Sequence, residues 1–268
     1  SEDNPSSEGI YKDNQQKFYT DKADFKAEAD IRLSIIKEIH SRLQNPEINT
    51  PGAWSDFEYD FSGSTFFYPV DLTNSYYTKP VNFSGSTYQD EVRFGGSTYQ
   101  GGADFSGSIY RRWADFLSST YQSQANFSGS TYEDVADFSG SIFYQKVYFG
   151  ADRDSSFSRF TDCTPQFYDE TNHKNTLFGS HNNDFTVENG KDHPIYRGIE
   201  NLPPGCCFLA EAQQEYLSSI FKEIEETREK LLTTEYFQEK IGLPGKLRAF
   251  NTALHEWREK VTTAQRTR

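Results

Sequence analysis

Cysteine and histidine at suitable spacing hold zinc, and one stretch of this chain gathers Cys163, His173, His181, Asp184, His193, Cys206 and Cys207. No pair among them has C-x-x-C or H-x-x-x-H spacing, so the expectation is no metal and no cofactor. The patterns G-x-x-x-x-G-K-[ST], H-E-x-x-H and G-x-S-x-G are absent, which removes the common phosphate loop, zinc-peptidase helix and nucleophile elbow. The many Ser-Gly-Ser triplets precede no helical pattern and read as chain corners, not phosphate-binding turns. With no catalytic constellation left, the chain is read as a non-enzyme, and binding becomes the chemistry to explain.

What would position binding residues is a repeat. Phenylalanine, or Leu72 in its place, returns every eleven residues at Phe61, Phe83, Phe94, Phe105, Phe116, Phe127, Phe138, Phe149 and Phe160. Five residues after each anchor, from Phe66 and Tyr77 through Tyr132 and Phe143, sits a second aromatic, so the unit is a five plus a six. Two residues before each first anchor the side chain is usually small, as at Val81, Ala103 and Ala125; two before each second anchor it is serine, as at Ser86, Ser97 and Ser108. A small and a large residue at spacing two point to the same side of an extended strand, and a fixed period over this many units implies a solenoid.

Ala103-Asp104-Phe105-Ser106-Gly107, followed by Ser108-Ile109-Tyr110, resembles the pentapeptide-repeat family, whose unit reads A-(D/N)-(L/F)-x-x. The resemblance covers residues near 57 to 160 and implies a right-handed quadrilateral β-helix with one short strand per side. The fold expected is mainly β with α caps, a solenoid of about five coils. The eleventh residue of the unit departs from the strict pattern and is similar to family variants with alternating five- and six-residue sides.

If two units close one coil, residues 22 apart stack about 4.8 Å from coil to coil. One corner then carries Asp90 and Glu91, next Arg111, Arg112 and Trp113, next Glu133 and Asp134. These seven residues are the candidate interaction surface, because Trp and Arg are enriched among interface hot spots. The competing reading is a set of inter-coil ion pairs. The positions Asp60, Asp71, Asn82, Asp104, Asp115, Asn126 and Asp137, each just before a first anchor, read first as turn chemistry, since Asp and Asn bond their own local backbone at corners. Thr65, Thr87 and Thr131, and separately Thr98 and Thr120, form short outward columns; β-solenoid ice-binding proteins carry such arrays, but Ile109 and Ile142 interrupt these.

Hydrophobic residues make up 35% of the 268, and the mean hydropathy is −0.80, as a narrow core of rings and small residues requires. A formal charge of −13 argues against direct contact with nucleic acid or an anionic membrane, and no segment reaches the roughly 20 apolar residues of a membrane helix. Three unevenly spaced cysteines suit a reducing cytoplasm. No signal peptide is recognised at the start of the sequence.

The domain reading is residues 1–54 for a flexible lead and an N-terminal capping helix from about Asp24 to Leu43, and 55–162 for the β-helix. A loop-rich cap holding a degraded coil or short hairpin follows over 163–208, then a helical hairpin over 209–268 that caps the solenoid or forms a homodimer seam. The hairpin helices are expected over Leu209 to Lys240 and Lys246 to Ala264. The leading function is a protein-binding scaffold with an unnamed protein partner. The alternative follows from the family resemblance, which includes acidic members that imitate DNA and bind DNA gyrase; about five coils, however, span only about 20 to 25 Å.

Overall fold

A computed structural model describes residues 14–44, 50–151, 156–187, 192–198, 200–235 and 240–263. The chain divides into two units, residues 1–39 and 40–268. The first unit is helix α1 (Gln15–Leu43) as far as Ile39. The helix begins earlier than its apolar spacing predicts, because Asn14 caps it through a bond from the Lys17 N–H at 2.9 Å and the polar residues that follow are good helix formers without periodicity. The lead expected before it falls mostly on residues 1–13, outside the described residues.

The second unit is a four-sided solenoid. Its first side stacks Tyr59–Asp60, Val81–Asn82, Ala103–Asp104, Ala125–Asn126 and Val147–Tyr148. The second stacks Thr65–Phe66, Thr87–Tyr88, Ile109–Tyr110, Thr131–Tyr132 and Arg159–Phe160. The third holds Val70–Asp71, Val92–Arg93, Ala114–Asp115 and Ala136–Asp137. The fourth runs from Tyr76–Tyr77 through Thr98–Tyr99, Thr120–Tyr121 and Ile142–Phe143 to Lys174–Phe178. All these pairs are parallel and shifted by 22 residues within the regular coils, as at Ile109 against Thr131. Four regular turns are followed by a fifth that is broken by insertions.

Inside, the rings form four columns. Phe83 stacks on Phe105 at 5.1 Å and Tyr110 on Tyr132 at 4.7 Å between centroids, while neighbouring columns meet edge to face, as Phe83 and Phe94 do at 4.9 Å. From Phe83 through Phe149 the first anchors are buried, and Phe61, in the first coil, is half-buried.

Phe160 corrects the periodic reading. Its spacing of eleven from Phe149 marks it as a first anchor, yet it stacks on Tyr132 at 4.7 Å, in a second-anchor column. Six extra residues after Phe149 restore the spacing by coincidence: the Ser158 hydroxyl bonds the Phe127 carbonyl across 31 residues where its counterparts span 25. The next first anchor is Phe167, on Phe138 at 5.4 Å. Phe178 then stacks on Phe143, and Phe185 on Phe149. The stretch expected to be loop-rich therefore holds a degraded coil, and also a short hairpin in which Tyr168–Asp169 pairs antiparallel with Lys174 and Asn175.

Helices α2 (Glu211–Thr233) and α3 (Leu243–Thr262) follow. Their apolar stripes lie along the fourth side, where Leu217, Ile220, Ile224 and Leu254 pack with Ile142 and Leu177. Much of the stripe expected to cap an end or to meet a second copy packs against the chain's own flank, while Leu232 stays exposed. At the far end of α2, Arg228 pairs with Asp56 and reaches Gln100 at 2.9 Å; α3 returns until Glu259 meets Lys174 at 2.6 Å. The first helix, expected to run to Lys240, stops at Thr233, where Thr234 turns extended; residues 236–239, and Ala264, expected to end the second helix, lie outside the described residues.

Candidate interaction surface

The corner between the second and third sides carries the charged residues singled out above. Stacking places Arg111 one coil from Glu133, and the Arg111 guanidinium reaches both carboxylate oxygens at 2.9 and 3.0 Å. The ion-pair reading thus accounts for these two. Asp90 accepts the Glu91 N–H at 2.8 Å and Asp134 accepts the Val135 N–H at 2.7 Å, so both carboxylates also fix the corner backbone. Glu91 pairs with Arg93 at 3.0 Å, and the Arg93 guanidinium lies 5.8 Å from the centroid of the half-buried Trp113 ring. Arg112 is exposed and has no ion pair among the described residues. Arg93 was not singled out in the sequence; its 22-residue spacing to Asp115 and Asp71 was the available signal.

The Asp and Asn positions, on the first and third sides, make turns. Asp104 accepts the Ser106 N–H at 3.0 Å, Asn126 the Ser128 N–H at 3.1 Å, and Asp115 the Leu117 N–H at 2.9 Å. Asp115 is only 5% exposed; burial, reinforced by Asp137, pushes its carboxyl up to about 6 against the opposing effects of its backbone bond and Arg93. Gly107 takes a φ of 64°, a left-handed conformation that closes the Ser-Gly-Ser corner.

The sides differ in what covers them. On the fourth side the outward residues Tyr76, Thr98, Thr120, Ile142 and Leu177 are all buried beneath the helices. On the second side Thr65, Thr87, Ile109 and Thr131 stay half-exposed. The sequence signal for the covered flank was Tyr76 and Ile142 at outward positions that on the first side are mostly Asp and Asn.

The cysteine and histidine stretch does not converge. Among the described residues no group of three His, Cys, Asp or Glu side chains is placed to hold a metal ion. The three cysteines are free, and burial pushes each thiol up, away from the thiolate form. No helix among the described residues is long and apolar enough to cross a membrane.

Residues 61–109 match the family model for pentapeptide repeats, in nine copies. This segment is a pentapeptide-repeat solenoid. The matched segment holds the strands from Thr65–Phe66 to the one beginning at Ile109, and the same coil geometry continues past it through Phe143. No curated protein and no solved structure matches the chain.

Proposed function

We propose that this pentapeptide-repeat chain is a non-catalytic protein-protein interaction scaffold whose recognition surface is the corner formed by Asp90, Glu91, Arg111, Arg112, Trp113, Glu133 and Asp134. The observation that carries the reading is the exposed guanidinium of Arg112, without an ion pair among the described residues, beside the half-buried ring of Trp113, on a backbone pinned by coil-to-coil bonds such as Arg111 N–H to Tyr88 carbonyl at 3.0 Å. A rigid Trp and Arg pair presents contact area with little ordering cost.

The DNA-mimic alternative draws on the charge of −13. The corner favours a protein partner over that reading, because Arg93, Arg111 and Arg112 break the acidic ladder at its centre and weaken the continuous negative field that imitation of a duplex requires. A gyrase supercoiling titration with the protein separates the two.

Affinity capture with the wild-type chain and with the Arg111→Ala/Arg112→Ala/Trp113→Ala variant tests the reading. A partner retained by wild type and lost by the folded variant supports it. Full retention by the variant removes the corner from recognition.

A further inference from the structure

The solenoid does not stop evenly at its fifth turn. On the first side Asp184 continues the ladder, donating to the Val147 carbonyl at 3.0 Å and accepting from the Phe149 N–H at 2.6 Å. On the second side the His193 N–H donates to the Phe160 carbonyl at 2.7 Å. On the fourth side Cys206–Phe208 pairs in parallel with Thr176, Leu177 and Phe178. A sixth layer is thus begun on three sides.

The third side is different. Its last strand segment pairs back to the fourth turn through the Gln166 N–H to the Ala136 carbonyl at 2.9 Å and the Phe138 N–H to the Gln166 carbonyl at 2.8 Å. By the parallel pattern, the Phe167 N–H and the Pro165 carbonyl face away from that pairing, and neither has a hydrogen-bond partner among the described residues. Phe167 is 4% exposed, so an amide there with no partner among the described residues is an unusual feature. At this position lies a groove of about 830 Å³, with Pro194, Tyr196 and Pro203 among its walls. Between His193 and Cys206 the described residues lay no strand on the third side.

We propose that this groove binds an extended, cationic peptide segment of a partner protein, which adds the missing strand of the sixth layer on the third side. One peptide residue donates its N–H to the Pro165 carbonyl and accepts from the Phe167 N–H, repeating the two bonds that Asp184 makes on the first side. Charge complementarity sets the cationic requirement: Asp137, Asp169 and Glu170 line the groove and no Lys or Arg does. The nearby Lys174 ammonium is committed to Glu259. Strand addition of this kind draws affinity from main-chain bonds and specificity from flanking side chains. The slot is separate from the Trp113 corner, so the two readings stand or fall independently.

The test uses a fluorescein-labelled peptide, acetyl-Thr-Val-Thr-Val-Lys-Lys-amide, titrated by anisotropy, with the Phe167 amide followed by NMR. Saturable binding that shifts the Phe167 resonance is expected. Replacing both peptide lysines by glutamate, or introducing Asp137→Asn with Glu170→Gln in the protein, should weaken it by about tenfold. N-methylating, in turn, the Val and Thr residues that can face Pro165 should abolish it at one position while leaving the protein untouched. Arg112→Ala/Trp113→Ala should leave it unchanged. The proposal is overturned by no saturable binding up to about 1 mM. Binding that leaves Phe167 unshifted and ignores N-methylation also overturns it, as does a two-copy species in light scattering that protects the Phe167 amide without peptide.

Discussion

The Ser108 hydroxyl donates to the Phe83 carbonyl at 3.0 Å, one turn down the solenoid, and also accepts the Ser86 N–H at 3.2 Å. The same pair of bonds recurs at Ser97, Ser119, Ser130 and Ser141. In the irregular fifth turn the Thr176 hydroxyl bonds the Phe138 carbonyl in the same way. The interior serine is therefore more than a small residue: it pairs two backbone groups that are shut away from water.

Ser108→Ala should cost about 2 to 4 kcal/mol of unfolding free energy, because a buried N–H and a buried carbonyl each lose a partner. Urea denaturation of the two proteins checks this. A change below about 0.5 kcal/mol would mean that the backbone pairs some other way.

Asp115 makes stability depend on pH. Its folded carboxyl is pushed up to about 6, above the ordinary value of 3.8, so between those values the folded state binds more protons than the unfolded one. Its contribution to stability therefore increases as pH falls from about 7 towards 4. Asp115→Asn should remove this slope and raise stability at pH 7 by about 1 to 3 kcal/mol. The substitution is tolerated in principle, since Asn82 and Asn126 make the same turn on the first side. Melting curves of both proteins at pH 4.5 and 7 give the comparison; parallel pH slopes would refute it.

How much of this was legible follows from particular residues. Phe83 to Phe149, the serines and the corner aspartates announce coils, interior and turns, because each position has one steric role. Phe160 misleads because an insertion happens to match the period. Residues Gln15 to Ala23 hide a helix because it has no apolar face to reveal. The helix-covered flank left only Tyr76 and Ile142 as clues, and the corner's Arg111–Glu133 pair was legible from spacing alone.

Arg228 ties the end of α2 to Asp56, just before the first turn, and to Gln100 at the end of the second, and it is 9% exposed. Arg228→Ala should lower stability by about 1 to 3 kcal/mol and speed hydrogen exchange in α2 more than in the interior strands. Equal exchange in the two proteins would mean that the apolar stripe alone holds the helix.

The Arg111–Glu133 pair lies at the surface, with side chains 44% and 37% exposed. Arg111→Ala alone should change stability by less than about 1 kcal/mol, which thermal unfolding can read. A larger loss would move Arg111 from recognition to scaffold.

The claim at the centre of this account is that the corner recognises a protein. Its most direct measurement is the dissociation constant of the captured partner for the wild-type chain and for Arg112→Ala/Trp113→Ala, with both shown by melting to be folded. A loss of affinity of about 30-fold or more is the predicted result. Affinity unchanged within about twofold would contradict it and shift recognition to another face of the solenoid.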